Sequence, residues 1–184
     1  MSENISLERN GVSSVVKWLL FAYAFIFGIY MGGGLFETVV ITPMWSASAE
    51  AARQFNQNPL SVVNSGNFFF IIAPLSVLLA VATLIVGWRT PQPIRFWLRL
   101  QIIIFLIVFV VTAIYYVPEQ GSIKGAAAQS LSDTEIGVRA GRWVLLNWVR
   151  FGVAFLLWGM ILHVLGLAYR QSAETRGSSI DHAI

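Results

Sequence analysis

Long apolar segments without charge dominate the chain. Three such windows span residues 18–36, 100–118 and 151–169. Each is close to the ~20 residues that a helix needs to cross a hydrocarbon layer of about 30 Å. A fourth apolar segment contains Pro74, which membrane helices tolerate, often with a kink. The pattern predicts an all-α bundle of four transmembrane helices, at about 15–40, 66–88, 95–117 and 142–169.

Composition supports a membrane protein and excludes several kinds of chemistry. Only 11% of the 184 residues are charged, whereas about a quarter are charged in a soluble domain. The absence of cysteine excludes disulfides, zinc–thiolate sites, iron–sulfur clusters and thiol catalysis. Basic residues flank the apolar segments rather than clustering, so no nucleic-acid partner is expected despite the net charge of +3. No metal site and no cofactor are predicted.

The distribution of basic residues predicts the orientation. Four spans place both termini and the 89–94 connection on one side, with seven Lys and Arg residues against four on the other. The positive-inside rule then gives cytoplasmic termini, in what we expect to be a bacterial inner membrane. The first apolar segment is longer than the 7–15 residues typical of a signal peptide, so we expect it to be a span rather than a cleaved signal. Residues 1–171 are predicted to form one transmembrane domain, and 172–184 a polar, disordered tail.

The two longer connections, about 41–65 and 118–141, are predicted to lie outside and to carry short interfacial helices. Residues 46–58 have high helix propensity and end at Pro59. Ser132 and Glu135 have the spacing of a capping box, which predicts that the last helix begins near Asp133.

A seven-residue glycine repeat in the last span predicts close helix packing. Gly152, Gly159 and Gly166 are small enough to let two membrane helices approach. His163 lies beside this stripe and is predicted to be buried and hydrogen-bonded across a helix pair, rather than to bind a metal.

A polar stripe opens the last apolar segment. Trp143, Asn147 and Arg150 follow i, i+4, i+7 and share one helical face. A polar group facing lipid is costly, so such a stripe is expected to face a partner helix, a cavity or water. The predicted span limits place residues of the other three helices at the same depth, namely Glu37, Asn67, Tyr115 and Tyr116.

The first helix presents a complementary face. Tyr30, Gly33 and Glu37 lie on one side, and the glycine predicts room for a molecule to approach. An ion pair between Glu37 and Arg150 is the economical arrangement of two opposite charges at one depth. A second interpretation stays open: Arg150 snorkels outward, Glu37 marks a helix end, and Trp45, Tyr116 and Trp143 belong to an interfacial aromatic belt.

These patterns resemble a known family, the small four-helix membrane proteins related to anthrone oxygenases. The resemblance is carried by the run from Gly28 through Glu37 to Pro43-Met-Trp45, by Trp143-x3-Asn147-x2-Arg150, and by the four-span layout. It implies oxidation of a fused aromatic phenol by O2 without metal or organic cofactor. This chain departs from the family by carrying Glu37 and a longer polar outer loop, so the substrate does not transfer.

The resemblance also implies roles for individual residues. Glu37 would take up the phenol proton, and Arg150 with Asn147 would stabilise the oxyanion. Trp143 and Tyr116 would stack on the rings. The ligand-binding positions that we predict in full are Tyr30, Gly33, Trp45, Asn67, Tyr116 and Trp143.

Two functions follow as predictions. The first is binding, with oxidation by resemblance, of a flat hydrophobic aromatic or quinol-like ligand in an outer-leaflet pocket. The second is a non-enzymatic accessory subunit of a larger respiratory or photosynthetic membrane complex. Membrane lipid is the expected surrounding in both cases, and a homo-oligomer is a further predicted assembly. A transporter is disfavoured, since the chain has no inverted repeat.

Overall fold

The computed structural model describes residues 12–57 and 65–181, with the side chains of 12–57 and 66–173. Every regular element in these ranges is helical, which confirms the all-α prediction. The helices are α1 Ser14–Phe36, α2 Thr42–Ser46, α3 Ala49–Gln54, α4 Ser65–Val86, α5 Gln92–Val111, α6 Val117–Ser122 and α7 Asp133–Asp181.

Two π-helical turns join helices end to end. Glu37–Ile41 links α1 to α2, and Thr112–Tyr116 links α5 to α6. Four continuous segments of the described chain are therefore long and apolar enough to cross a membrane, which confirms the predicted number of spans. They are Ser14–Ser46, Gly66–Arg89, Gln92–Ser122 and Asp133–Ala173.

Three clusters of buried side chains hold the bundle together along its length. The central one stacks Phe27 against Phe105, with ring centroids 5.2 Å apart, and packs both against Leu157. A second cluster surrounds Leu20 and Leu98. A third joins the far ends of the spans and contains Trp45, Tyr116 and Trp143. Large aromatic rings are buried in the central and third clusters, whereas the buried members of the second are aliphatic.

The two ends of the bundle are held by different polar contacts. At the terminal end, the Lys17 ammonium donates to the Ser172 hydroxyl at 3.1 Å and brings the two ends of the chain together. The loop end comprises residues 37–57 and 112–140. Here Arg53 donates to the Leu131 carbonyl at 2.8 Å and to the Asp133 carboxylate at 2.7 Å. The two connections therefore pack on one another.

Both local helices predicted at the loop end are present, while their position at a membrane interface stays a prediction. The Ser132 hydroxyl accepts from the Glu135 backbone N–H at 3.3 Å, and the Glu135 carboxylate accepts from the Ser132 backbone N–H at 2.9 Å. This capping box starts α7 at Asp133. The predicted helix within 46–58 is α3, capped by the Ser48 hydroxyl. Pro59 lies outside the described residues.

The prediction for the glycine repeat of the last span is wrong for contacts within this chain. Gly152, Gly159 and Gly166 all lie on the exposed face of α7, where an added Cβ would meet no atom within 4 Å. His163 is also exposed, not buried, and its ring lies 5.6 Å from that of Trp97. The buried face of α7 instead uses aliphatic residues such as Leu157, because these fill the space between the helices.

The last helix runs beyond the predicted limit of the fourth span. It continues to Asp181, and the division into a domain of residues 1–171 and a tail of 172–184 stays a prediction. The first turn beyond the span is tied to the bundle by Lys17, and the Ser172 hydroxyl donates to the Ala168 carbonyl at 3.0 Å.

Candidate functional site

The polar stripe of α7 faces into the bundle, as its spacing predicted. Trp143 and Asn147 are buried and Arg150 is half-buried. Each of the three side chains bonds to a residue of a π-helical turn in another span. Such turns redirect side chains within a helix and recur at functional sites. The site is therefore built where α7 meets both turns.

Asn147 connects α7 to the first π-helical turn. Its amide nitrogen donates to the Thr38 hydroxyl at 3.0 Å. Thr38 donates its own proton to the Gly34 carbonyl at 2.7 Å, so its oxygen is left to accept. The Asn147 carbonyl oxygen accepts from Arg150 at 2.6 Å. Both ends of this fully buried amide are therefore satisfied.

Arg150 connects α7 to the second π-helical turn. One guanidinium nitrogen lies 3.5 Å from the Thr112 hydroxyl, which itself donates to the Val108 carbonyl at 2.7 Å. The guanidinium carbon lies 4.6 Å from the centre of the Tyr116 ring, a cation–π contact. No carboxylate of the described residues lies within ion-pair distance of Arg150. The cation is thus held by neutral partners alone.

Trp143 and Tyr116 serve as structural contacts of the same layer. The Trp143 indole N–H donates to the Tyr116 carbonyl at 3.0 Å, and the Tyr116 hydroxyl donates to the Leu146 carbonyl at 2.7 Å. The Trp45 ring lies edge-on to Trp143, at 5.2 Å between centroids. These bonds fix the Tyr116 ring beneath the guanidinium.

A small cavity lies beside Arg150 between α1, α4 and α7. Its volume is about 20 Å³, enough for roughly one water molecule. Three aromatic and three polar residues supply most of its wall: Tyr30, Phe69, Phe151, Thr38, Asn147 and Arg150. The cavity therefore combines one unpaired cation with an apolar surround.

Glu37 belongs to a different part of the layer, and the predicted ion pair with Arg150 is not formed. Its side chain is buried, with 4% of its surface exposed, and Oε1 accepts from the Gln120 amide at 3.1 Å. Its electrostatic partner is Lys124: burial lowers the pKa of Lys124, and the nearby Glu37 raises it. Glu37 bonds to Gln120 and Arg150 bonds to neutral side chains, so the two charged groups do not pair with each other.

Three other predicted site residues also lie away from the cavity. The space at Gly33 is filled by the Phe68 ring, which an added Cβ would approach to 2.1 Å. Asn67 is exposed on α4 and lines no part of the cavity. Trp45 is fully buried against Trp143. Of the nine predicted residues, Tyr30, Asn147 and Arg150 line the cavity, and Tyr116 supports it.

Several residues of the site were not predicted. Thr38 and Thr112 supply the acceptors for the α7 stripe, and Phe69 and Phe151 supply apolar wall. Threonine inside an apolar span is the signal that could have identified the first two. The phenylalanines carry no such signal, since both spans are rich in similar residues.

Two further arginines of α7, unlike Arg150, pair with a carboxylate. Arg139 makes two bonds to the Glu119 carboxylate, at 2.9 and 2.7 Å, and Arg142 lies 3.7 Å from the same group. Glu119 serves both, so Arg150 differs from these two arginines in having no acidic partner among the described residues.

No protein-family model, curated protein or solved structure matches this chain. The resemblance to the anthrone oxygenases therefore stays a prediction.

Proposed function

We propose that this membrane-spanning bundle binds a hydrophobic ligand through an oxygen that is anionic or a strong hydrogen-bond acceptor. The observation that carries the proposal is Arg150, a half-buried guanidinium with neutral partners that borders an aromatic cavity. Charges within membrane segments are costly and usually serve a ligand, an ion or a partner charge. A ligand oxygen would give Arg150 an anionic or strong acceptor in addition to its neutral partners Asn147 and Thr112.

The size of the cavity defines which part of the ligand enters it. At about 20 Å³ it admits a single oxygen atom rather than a ring system. The rings of a flat aromatic or quinol-like ligand would lie against Phe69 and Phe151, which are both half-buried at the edge of the bundle. Ring-on-ring contact and one charge-assisted hydrogen bond are the interactions such a ligand needs.

Oxidation by O2 is the finer form of this proposal, suggested by the family resemblance. It requires a group that takes the phenol proton as the oxyanion forms at Arg150. Glu37 precedes Thr38 of the cavity wall, but its carboxylate bonds to Gln120 instead. Binding is therefore supported more directly than turnover, and the two are separated by experiment.

Replacement of Arg150 tests the proposed binding. We expect the purified protein in nanodiscs to bind anthrone or a short-chain quinol saturably, measured by ligand fluorescence or absorbance. Arg150→Ala is expected to weaken binding by about tenfold or more, because a charge-assisted hydrogen bond is lost. Arg142→Ala is the matched control on the same helix, since Arg142 already lies beside Glu119.

The outcomes separate the competing functions. Equal affinity of the wild type and Arg150→Ala would contradict the proposed site. Consumption of O2 with appearance of the quinone product, lost in Arg150→Ala, would establish the oxygenase. Stoichiometric co-purification with a larger complex from native membranes, without binding by the isolated chain, would favour the accessory-subunit alternative.

We further propose that the loop end faces away from the cytoplasm in a bacterial inner membrane. The excess of basic residues at the terminal end supports this orientation. The chain has no cysteine, so single cysteines can report it. In intact spheroplasts, Ser130→Cys should react with a membrane-impermeant maleimide, and Ala173→Cys only after lysis. The opposite pattern would reverse the orientation.

A further inference from the structure

A group of buried polar atoms at the loop end has no hydrogen-bond partner. They are Oε2 of Glu37, the hydroxyl of Thr42 and the indole nitrogen of Trp45. All three side chains are almost fully buried, with exposures of 4%, 1% and 0%. Buried polar groups are nearly always paired with protein or with bound water, so three together in one short stretch require an explanation.

The three side chains share one face of the first span. The Thr42 backbone N–H bonds to the Glu37 carbonyl across the π-helical turn, which places Thr42 one turn beyond Glu37. Trp45 follows three residues later, close to one further turn. The face therefore presents a carboxylate oxygen, a hydroxyl and an N–H donor in succession.

The segment after the third span closes over this face. Gln120 donates to Oε1 of Glu37 at 3.1 Å. The Lys124 ammonium, four residues further along and beyond the end of α6, lies 6.0 Å from the centre of the Trp45 ring and 4.8 Å from that of Phe55. Lys124 also interacts electrostatically with Glu37. Residues of one short segment thus reach both Glu37 and Trp45.

We propose that Glu37, Thr42 and Trp45 surround a small group of bound water molecules beneath Lys124, which connects the Glu37 carboxyl to solvent at the loop end. Water fits this set because it both donates to the carboxylate oxygen and accepts from the indole N–H. A metal cation fits it poorly, since the ammonium and the N–H donor both repel positive charge. This inference does not depend on a ligand at Arg150.

Hydrogen exchange of the indole N–H groups tests the proposal within one sample. Trp143 is the internal control, because it is as buried as Trp45 but its N–H bonds to the Tyr116 carbonyl. In protein with ¹⁵N-labelled tryptophan, the Trp45 N–H is expected to exchange with D2O at least about tenfold faster than that of Trp143. A magnetisation-transfer signal from water to the Trp45 N–H is expected as well. Exchange as slow as that of Trp143, without this signal, would overturn the proposal.

The melting temperature of the variant Thr42→Val gives a second test, because the expected change differs between a water-filled site and a dry one. If water occupies the site, loss of the hydroxyl removes one of its partners, and the melting temperature falls. If the site is dry, the substitution removes an unpaired buried hydroxyl, and the melting temperature stays equal or rises. Thr83→Val is the matched control, because Thr83 is also fully buried and bonds to the Leu79 carbonyl of its own helix. An unchanged or raised melting temperature of Thr42→Val would overturn the proposal, and so would a melting temperature of the wild type that depends on Na⁺ or K⁺ at constant ionic strength.

Discussion

Replacing Asn147 by leucine is expected to lower the free energy of unfolding by about 3 kcal/mol. The amide bonds to Thr38 at 3.0 Å and to Arg150 at 2.6 Å, and leucine of similar size makes neither bond. A neutral hydrogen bond between membrane helices contributes about 0.6 kcal/mol on average, and one to a charged group about 1.5–3 kcal/mol. Steric trapping in bicelles measures the change.

Two further variants divide this loss between its causes. Thr38→Val removes the neutral partner of Asn147 and the Thr38 bond to the Gly34 carbonyl, but keeps the bond from Arg150 to Asn147, and should cost about 1 kcal/mol. Asn147→Asp keeps the shape and places a carboxylate beside Arg150, so most of the stability should remain. The same carboxylate would satisfy the cation and should weaken binding of an anionic ligand by about tenfold or more. A destabilised Asn147→Asp that still binds ligand would contradict the function assigned to Arg150.

The helical spans were predictable because the membrane imposes a simple rule on them. A helix in lipid satisfies its own backbone groups, so length and lack of charge identify it. The structure places four such segments where the apolar windows lie, from Ser14 and Gln92 at one end to Ser46 and Ser122 at the other. Both the first and third spans run beyond their predicted limits because a π-helical turn continues the helix.

The polar layer was only partly predictable, for a geometric reason. The helical repeat places Trp143, Asn147 and Arg150 on one face, and the structure agrees. Depth alone suggested that Glu37 meets Arg150, but depth does not determine the direction of a side chain. Glu37 begins a π-helical turn, bonds to Gln120 and lies apart from the cavity. A sequence pattern with a fixed period of 3.6 contains no information on such a turn.

The same limit applies to the glycines. Periodicity identified Gly33 and the repeat from Gly152 to Gly166 as places where another group can approach. It could not tell which of them faces a neighbour within the chain. The structure shows that Gly33 does and that the repeat does not, because α7 turns its aliphatic face inward.

Gly33→Ala is the second substitution with a large expected effect, a loss of about 2 kcal/mol in the free energy of unfolding. The new Cβ would lie 2.1 Å from Cε1 and 2.7 Å from Cζ of Phe68, so the ring must leave its place between α1 and α4. Gly32→Ala is the control on the neighbouring residue, because its Cβ would meet no atom within 4 Å. That variant should be neutral or slightly more stable, since alanine favours the helix.

A double-mutant cycle with Phe68→Ala shows whether this contact is the cause. If the clash with the ring accounts for the loss, Gly33→Ala should cost little in the Phe68→Ala background. Additive losses would instead mean that α1 tolerates no side chain at position 33 for a reason other than Phe68. The cycle also bears on the ligand, because the Phe68 ring fills the space that Gly33 was predicted to leave for a ligand. Phe69, which follows it, packs on Tyr30 of the cavity at 5.6 Å. Displacing the Phe68 ring should therefore alter ligand affinity at Arg150, whereas Gly32→Ala should leave it unchanged.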